Sequence, residues 1–190
     1  MELLKNRILQ DAVVRPGNIL KVDSFLNHQV DSQFIESLAS EFIQHFQDIQ
    51  FTKVLTIEAS GIAIAGITAL KLGVPFIFAK KTLSKNLDGS VFSAKVTSYT
   101  RNNEYTIMVA KRFITEEDNI LIIDDFLASG KALYGLISIV EQSGAKCSGI
   151  GVVIEKGFQG GGDELRKKGY PLHSLAIIDE MNDNEIIFRE

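Results

Sequence analysis

One stretch of the chain, residues 119–140, constrains the fold more than any other. It opens with a run of four apolar residues, three of them β-branched, that ends at two adjacent carboxylates, Asp124 and Asp125. A turn of small residues follows, and apolar side chains then recur at helical spacing at Leu133, Leu136, Ile137 and Val140. This order predicts a buried strand, a short turn and an amphipathic helix.

The turn between this strand and helix has the chemistry of a phosphate site. The first N–H groups of a helix lack intrahelical partners and lie at the positive end of its dipole, so they bind anions. Ala128, Ser129 and Gly130 let an anion approach the backbone. Asp124 and Asp125 suit hydroxyl groups instead, because carboxylates accept hydrogen bonds. The pattern therefore predicts a ribose phosphate; the alternative is that the acids only end the strand and cap the helix.

The segment from Ile122 to Ala132 resembles the phosphoribosyl-diphosphate (PRPP) signature of type I phosphoribosyltransferases. It is not a P-loop, since Asp125 and Ala132 stand where that motif needs Gly and Ser or Thr. The resemblance implies that Asp124 and Asp125 are catalytic residues that hold the ribose hydroxyls. It implies that the 5-phosphate is wrapped by the loop Ala128, Ser129, Gly130, Lys131 and Ala132. Many members have Glu-Asp and Thr where this chain has Asp-Asp and Ser, which keeps each chemical group.

A second strand, turn and helix begin at residues 53–57 and continue to Leu70. In the family this turn receives pyrophosphate, which implies binding by Ala59, Ser60, Gly61 and Ile62. A buried strand is predicted at residues 73–79, and a basic residue that follows it, either Lys80 or Lys81, is implied to contact PRPP. The alternatives are an ordinary turn of an α/β fold and a solvated pair of lysines.

Residues 20–29 resemble part of the N-terminal segment, or hood, that covers the base in bacterial xanthine phosphoribosyltransferases. The resemblance implies that Leu20 and Asn27 approach the base. It also implies that Lys156, after a strand predicted at residues 147–154, is a catalytic residue that reads the purine, with Phe158 as a weaker base contact. Taken alone, Asn27 is a turn residue and Lys156-Gly157-Phe158 is a surface segment.

The alternation of strands and helices, like the resemblance, predicts an α/β fold with a doubly wound, mostly parallel sheet. The length of 190 residues predicts one domain, whose first 50 residues include the hood. Residues 82–112 are expected to form a flexible loop and a hairpin, turned at residues 101–103. The pair Ser98-Tyr99 resembles a dipeptide of the family's flexible loop. Asp31 or Ser32 is expected to cap an amphipathic helix that runs to about Phe46 and has its apolar residues on one face. Asp163 is expected to cap a short helix, and residues 186–188 to form an edge strand.

Composition excludes several classes of function. The net charge of −4 and the pI near 5.5 argue against a nucleic-acid partner. The single cysteine, Cys147, excludes an intrachain disulfide and is expected to be a buried, inert thiol in a reducing compartment. The charged N-terminus does not resemble a signal peptide, and no apolar run approaches the length of a membrane span. The protein is therefore predicted to be cytoplasmic.

Together these resemblances imply a purine-salvage enzyme that transfers 5-phosphoribosyl from PRPP to xanthine, giving xanthosine 5′-monophosphate and pyrophosphate. They also imply Mg²⁺ bound with PRPP or pyrophosphate, with no dedicated metal-ligand residues, and a homodimer. One alternative is a hypoxanthine or guanine phosphoribosyltransferase. Another is a non-catalytic, PRPP-sensing regulator, which the acidic chain and the lack of a helix-turn-helix pattern disfavour.

Overall fold

A computed structural model describes residues 1–81, 90–97, 104–182 and 185–190 of the chain. In chain order the helices are α1 (Glu2–Asp11), α2 (Ser32–His45), α3 (Gly61–Leu72), α4 (Lys131–Ser143) and α5 (Gly161–Lys167). The strands are β1 (Val13–Arg15), β2 (Ile19–Lys21), β3 (Lys53–Ile57), β4 (Phe76–Ala79), β5 (Val91–Thr97), β6 (Glu104–Ala110), β7 (Asn119–Leu127), β8 (Lys146–Lys156), β9 (Leu172–Met181) and β10 (Ile186–Phe188). No helix within these ranges is long and apolar enough to cross a bilayer.

A six-stranded sheet with the order β10-β9-β8-β7-β3-β4 forms the centre of the fold. All neighbouring pairs are parallel except β10, which pairs antiparallel with β9. The predicted mostly parallel sheet is therefore confirmed. The carboxyl ends of five strands, including β3, β7 and β8, lie at the same edge, where ligands of open α/β sheets bind.

The sheet is covered on both faces, as a doubly wound fold requires. Successive residues of β7 point to opposite faces, so Leu121 and Ile123 pack with α1, α2 and α3, while Ile120 and Ile122 pack with α4 and α5. The predicted apolar face of α2 is buried, and the Asp31 carboxylate accepts the N–H of Phe34 as the helix cap.

Two hairpins lie outside the central sheet. β1 and β2 pair antiparallel, and with the π-helical turn Asp23–Asn27 they form the hood, residues 13–27. β5 and β6 form the predicted second hairpin, which packs against α4 and pairs with Lys80 at the end of β4 through Met108. The predicted loop at 82–89, the pair Ser98-Tyr99 and the turn at 101–103 lie outside the described residues.

Two local predictions are wrong. The strand expected at 73–79 is not fully buried, because β4 is the last strand of the sheet and Phe76 remains 37% exposed. Asp163 does not cap α5: the helix begins earlier, at Gly161, after Gly160 with a φ of 73°. Gly160 adopts this left-handed conformation without a side-chain clash and is the N-cap residue, which leaves Asp163 inside the first turn of the helix.

Candidate active site

Asp124 and Asp125 lie near the carboxyl end of β7, at the edge of the sheet where the parallel strands end. Asp124 and Asp125 are almost fully buried, with 3% and 5% of their surface exposed. The Asp125 carboxylate accepts hydrogen bonds from Ser60 Oγ, at 2.9 Å, and from Asn27 Nδ2, at 3.2 Å. Residues that the sequence analysis assigned to the ribose, pyrophosphate and base sites therefore meet at one carboxylate.

Asp124 has a different environment from Asp125. Its Oδ1 accepts the backbone N–H of Asp125 at 3.0 Å. Burial first, and the neighbouring Asp125 charge second, raise the pKa of the Asp124 carboxyl well above its usual range. The positive charge of Lys81 acts in the opposite direction. Added positive charge beside this acid would therefore favour its ionised form.

The segment Ala128–Ala132 contains the turn after β7 and the first two residues of α4, so the turn predicted from the small residues is Ala128–Gly130. Gly130 has a φ of 80°, which favours glycine, and α4 begins at the next residue, Lys131. The segment lines a cavity of about 160 Å³ together with Val96, Thr97 and Tyr105 of the second hairpin. A phosphate at the start of α4 would therefore lie between the helix and this hairpin.

The turn after β3 holds the residues predicted for pyrophosphate. Its first peptide bond, between Glu58 and Ala59, is cis, and α3 begins at Gly61. The Glu58 carboxylate accepts the backbone N–H of Lys81 at 2.5 Å, which joins this turn to the end of β4. Ser60 turns toward Asp125, as described above, whereas Ala59 is exposed and Ile62 is half-buried.

Lys80 and Lys81 have different surroundings. The ammonium of Lys80 lies 5.9 Å from the centre of the Phe78 ring, and its backbone pairs with Met108. The ammonium of Lys81 lies 5.3 Å from the centre of the Tyr105 ring and is close enough to lower the pKa of Asp124. Of the two lysines that the sequence left open, Lys81 is the one placed toward the acids.

Lys156, the last residue of β8, meets the hood. Its Nζ donates to the backbone carbonyl of Asn18 at 2.8 Å and lies 5.6 Å from the centre of the Phe126 ring. Burial lowers the pKa of the half-buried Lys156 ammonium. Leu20 is buried on β2, two residues after Asn18, whereas Phe158 is 38% exposed. The hood thus contacts both Lys156, which is predicted to read the base, and, through Asn27, Asp125, which is predicted to hold the ribose.

Comparison with known proteins agrees with this geometry. Residues 21–186 match the model of the phosphoribosyl transferase domain. The chain belongs to the phosphoribosyl transferase family. A curated relative from Lachnoclostridium phytofermentans, named xanthine phosphoribosyltransferase, is 53% identical over 100% of this chain and 98% of its own. A protein of the same name from Ruminiclostridium cellulolyticum is 55% identical over the full length of both chains.

Solved structures of phosphoribosyltransferases share the fold. The APRTase from Giardia lamblia, complexed with 9-deazaadenine, has a TM-score of 0.78 and 25% identity over 94% of this chain and 98% of its own. An adenine phosphoribosyltransferase from Thermoanaerobacter pseudethanolicus has a TM-score of 0.74 and 21% identity, over 93% and 98% of the two chains. The type I phosphoribosyltransferase fold predicted from the sequence is therefore confirmed.

Two residues of this phosphoribosyltransferase site were not found from the sequence. Tyr105 lines the cavity of the Ala128–Ala132 segment, and burial first, with the charge of Asp124 second, raises the pKa of its hydroxyl. Thr56 is fully buried on β3, and its hydroxyl would lie only 2.1 Å from a Cβ added at Gly61. Both residues reach the site from other elements, so no local sequence pattern identifies them.

Proposed function

We propose that this protein transfers the 5-phosphoribosyl group of PRPP to xanthine, giving xanthosine 5′-monophosphate and pyrophosphate in purine salvage. The observation that carries the proposal is the meeting of three segments at Asp125: the β7 acids, Ser60 of the α3 turn and Asn27 of the hood. The full-length similarity to proteins named xanthine phosphoribosyltransferase supports xanthine as the base.

PRPP would lie along the edge of the sheet. Asp124 and Asp125 would accept hydrogen bonds from the ribose hydroxyls, while the backbone N–H groups of Ala128–Ala132 and the Ser129 hydroxyl would hold the 5-phosphate. The pyrophosphate would lie against the turn Ala59–Ile62, with Lys81 as the nearby cation. Mg²⁺ would enter with PRPP as part of the substrate, because a diphosphate supplies the oxygen ligands that this ion prefers.

The reaction exchanges one bond at the anomeric carbon of the ribose. The bond to the pyrophosphate oxygen breaks, a purine nitrogen forms the new bond, and the purine loses the proton of that nitrogen. Positive charge grows on the sugar and negative charge on the leaving group. The protein contributes mainly by positioning both substrates and stabilising these charges, and by excluding water from the reactive carbon.

The base would lie between the hood and the end of β8. Lys156 would donate to the 6-oxo group of xanthine and stabilise the purine anion, in place of the Asn18 carbonyl to which it donates in the structure. Leu20 would supply an apolar contact, Asn27 an amide, and Phe158 an aromatic face for stacking. Because an amide carries both a donor and an acceptor, Asn27 also suits guanine or hypoxanthine, which makes these bases the second candidates.

We further propose that the enzyme acts as a homodimer in the cytoplasm. The family resemblance supports the dimer, and the acidic composition with a single cysteine supports a reducing, intracellular compartment. Light scattering coupled to gel filtration is expected to give twice the mass of one 21.0 kDa chain. A mass of one chain at micromolar concentration would contradict the dimer.

The function is tested by pyrophosphate release from PRPP with xanthine, guanine or hypoxanthine, each with and without Mg²⁺. We expect the highest kcat/KM with xanthine and little release without the ion. A higher kcat/KM with guanine or hypoxanthine would assign the second function. No release with any of the three purines, together with DNA binding at low salt, would identify a PRPP-sensing regulator instead.

A further inference from the structure

An ion-pair network surrounds the backbone on both sides of Lys156. It consists of the carboxylates and guanidinium groups of Glu155, Asp163, Arg166, Asp179 and Arg189. These residues come from the end of β8, from α5, from β9 and from the C-terminal segment. None of them was singled out for binding by the sequence patterns.

Glu155, directly before Lys156, is the buried end of the network. Its carboxylate has no exposed surface, and it accepts hydrogen bonds from Arg166 at 2.9 and 2.5 Å and from Ser174 Oγ at 2.5 Å. A Cβ added at Gly162 would lie 2.0 Å from Glu155 Oε1. The backbone of α5 therefore packs directly against the Glu155 carboxylate. This contact fixes the last residues of β8 before Lys156.

Gly157, directly after Lys156, lies against the other end of the network. A Cβ at this position would be 2.6 Å from Asp179 Oδ1 and 2.9 Å from Arg189 Nη2. These two groups form an ion pair, with Arg189 Nη2 donating to Asp179 Oδ1 at 2.8 Å and Arg189 Nε donating at 3.0 Å. The backbone after Lys156 thus packs against the ion pair of the Arg189 guanidinium and the Asp179 carboxylate.

Asp163 joins the two ends into one unit. Its Oδ1 accepts from Arg189 Nη1 at 2.8 Å and from Arg166 Nη1 at 3.2 Å. The hydrogen bond from Arg189 is also the main cause of the lowered pKa of Asp163. Because one guanidinium can hold two carboxylates in a fixed plane, Arg189 sets the distance between β9 and α5 at this point.

We propose that Arg189 is a positioning residue for the purine: it holds the backbone after Lys156 so that the ammonium of Lys156 reaches the base. The inference rests on the proposed function, in which Lys156 binds the purine. The Arg189 side chain is 34% exposed and its partners are 54% and 38% exposed, so the ion pairs contribute little to global stability. Their effect is expected in base binding, where a displacement of about 1 Å can change the rate by about 100-fold.

The test compares Arg189→Met, which removes the charge, with Arg189→Lys, which keeps the charge but loses the planar fork. We expect Arg189→Met to raise KM for xanthine about tenfold, with KM for PRPP changed by less than about twofold. Arg189→Lys should recover part of the loss and is expected to remain folded if Arg189→Met does not. The matched control is Lys71→Met, which removes an ion pair of similar exposure between α3 and α2 and should leave both KM values unchanged.

A double-mutant cycle with Lys156→Ala separates positioning from a general structural effect. If Arg189 acts through Lys156, Arg189→Met should cause no further loss of kcat/KM for xanthine when Lys156→Ala is already present. Additive losses, or an equal rise in KM for PRPP, would overturn the inference while leaving the proposed function intact. Failure of the proposed function is recognised separately, because Lys156→Ala alone would then leave KM for xanthine unchanged.

Discussion

Substitution of Gly61 by alanine tests how tightly the turn after β3 is packed, because the added methyl group has no free space there. A Cβ at this residue would lie 2.1 Å from Thr56 Oγ1 and 3.2 Å from Asp124 Oδ1. The first distance is impossible without movement, and Thr56 is fully buried. Overpacking of this kind costs about 1–3 kcal/mol, and the alanine recovers at most about 1 kcal/mol through the unfolded chain. Gly61→Ala is therefore expected to lower the free energy of unfolding by about 1–2 kcal/mol.

A second substitution should relieve the clash. Among the described residues, none hydrogen bonds to the Thr56 hydroxyl, so Thr56→Ala breaks no such bond and costs about 1 kcal/mol for the lost methyl group. In Thr56→Ala/Gly61→Ala the new methyl would fill the vacated space, because the Cβ of residue 56 is 3.5 Å away. The double variant should therefore be more stable than the sum of the two single effects by about 1 kcal/mol or more.

Urea unfolding of the four proteins measures the coupling, and kcat/KM for PRPP shows whether the turn has moved. Gly66→Ala is the matched control: it lies in the same helix, and within the described part of the chain its added Cβ would meet only the Phe76 ring, at 3.5 Å. That variant should be as stable as the wild type or slightly more stable. Strict additivity of Gly61→Ala and Thr56→Ala, or equal effects of Gly61→Ala and Gly66→Ala, would refute the reasoning.

Three further predictions concern Lys156, His173 and Cys147. Lys156→Ala should raise KM for xanthine and lower kcat/KM, with a loss of about 2 to 4 kcal/mol of transition-state stabilisation, because a shielded, charge-assisted hydrogen bond is lost. Steady-state kinetics that leave both parameters unchanged would disprove this role. Burial first, and the stacked His45 second, lower the pKa of His173 to about 4, so protonation favours the unfolded chain. Stability should thus fall between about pH 6.5 and 4, by about 1–2 kcal/mol after allowance for solvent screening, and urea titrations should show a smaller fall for His173→Gln. Cys147 is half-buried and not fully buried as predicted, and this burial raises the pKa of its thiol to about 11. Alkylation by iodoacetamide at pH 8 should therefore be roughly a hundredfold slower in the folded protein than in urea; equal rates would show an accessible thiolate.

The parts of the site that were predictable are those in which one continuous segment carries both fold and chemistry. Three such parts follow one another in the chain: the strand before Asp124, the small residues Ala128–Gly130 and the apolar face of α4. Their hydrophobic periodicity and turn residues therefore identify them locally. The same is true of α2, whose cap and apolar face both follow from residues within two helical turns.

The parts that were not predictable depend on contacts between distant segments. Asp163 follows the rule for a helix cap, but α5 begins earlier. The Asp163 carboxylate instead accepts a hydrogen bond from Arg189, a residue 26 positions away. The sequence could not choose between Lys80 and Lys81 because the choice depends on the direction that each side chain takes after β4 ends at Ala79. Tyr105 comes from a separate hairpin and Thr56 from the neighbouring strand, so no spacing within the segment that carries the acids identifies them.

The hood has no backbone pairing with the six-stranded sheet, and this separation has a consequence for how such enzymes diversify. In the proposed function the groups that hold the sugar and its phosphates lie at strand ends, whose register cannot change without repacking both faces of the sheet. The hood hairpin pairs with no strand of this sheet, so its turn at residues 16–18 can vary in length without a change of register, while Leu20, Val22, Phe25 and Leu26 stay packed in the core. A lineage built on this plan could exchange one nucleobase for another by altering the exposed part of the hood and the residues around Lys156, with the strand ends that hold the phosphoribosyl group unchanged.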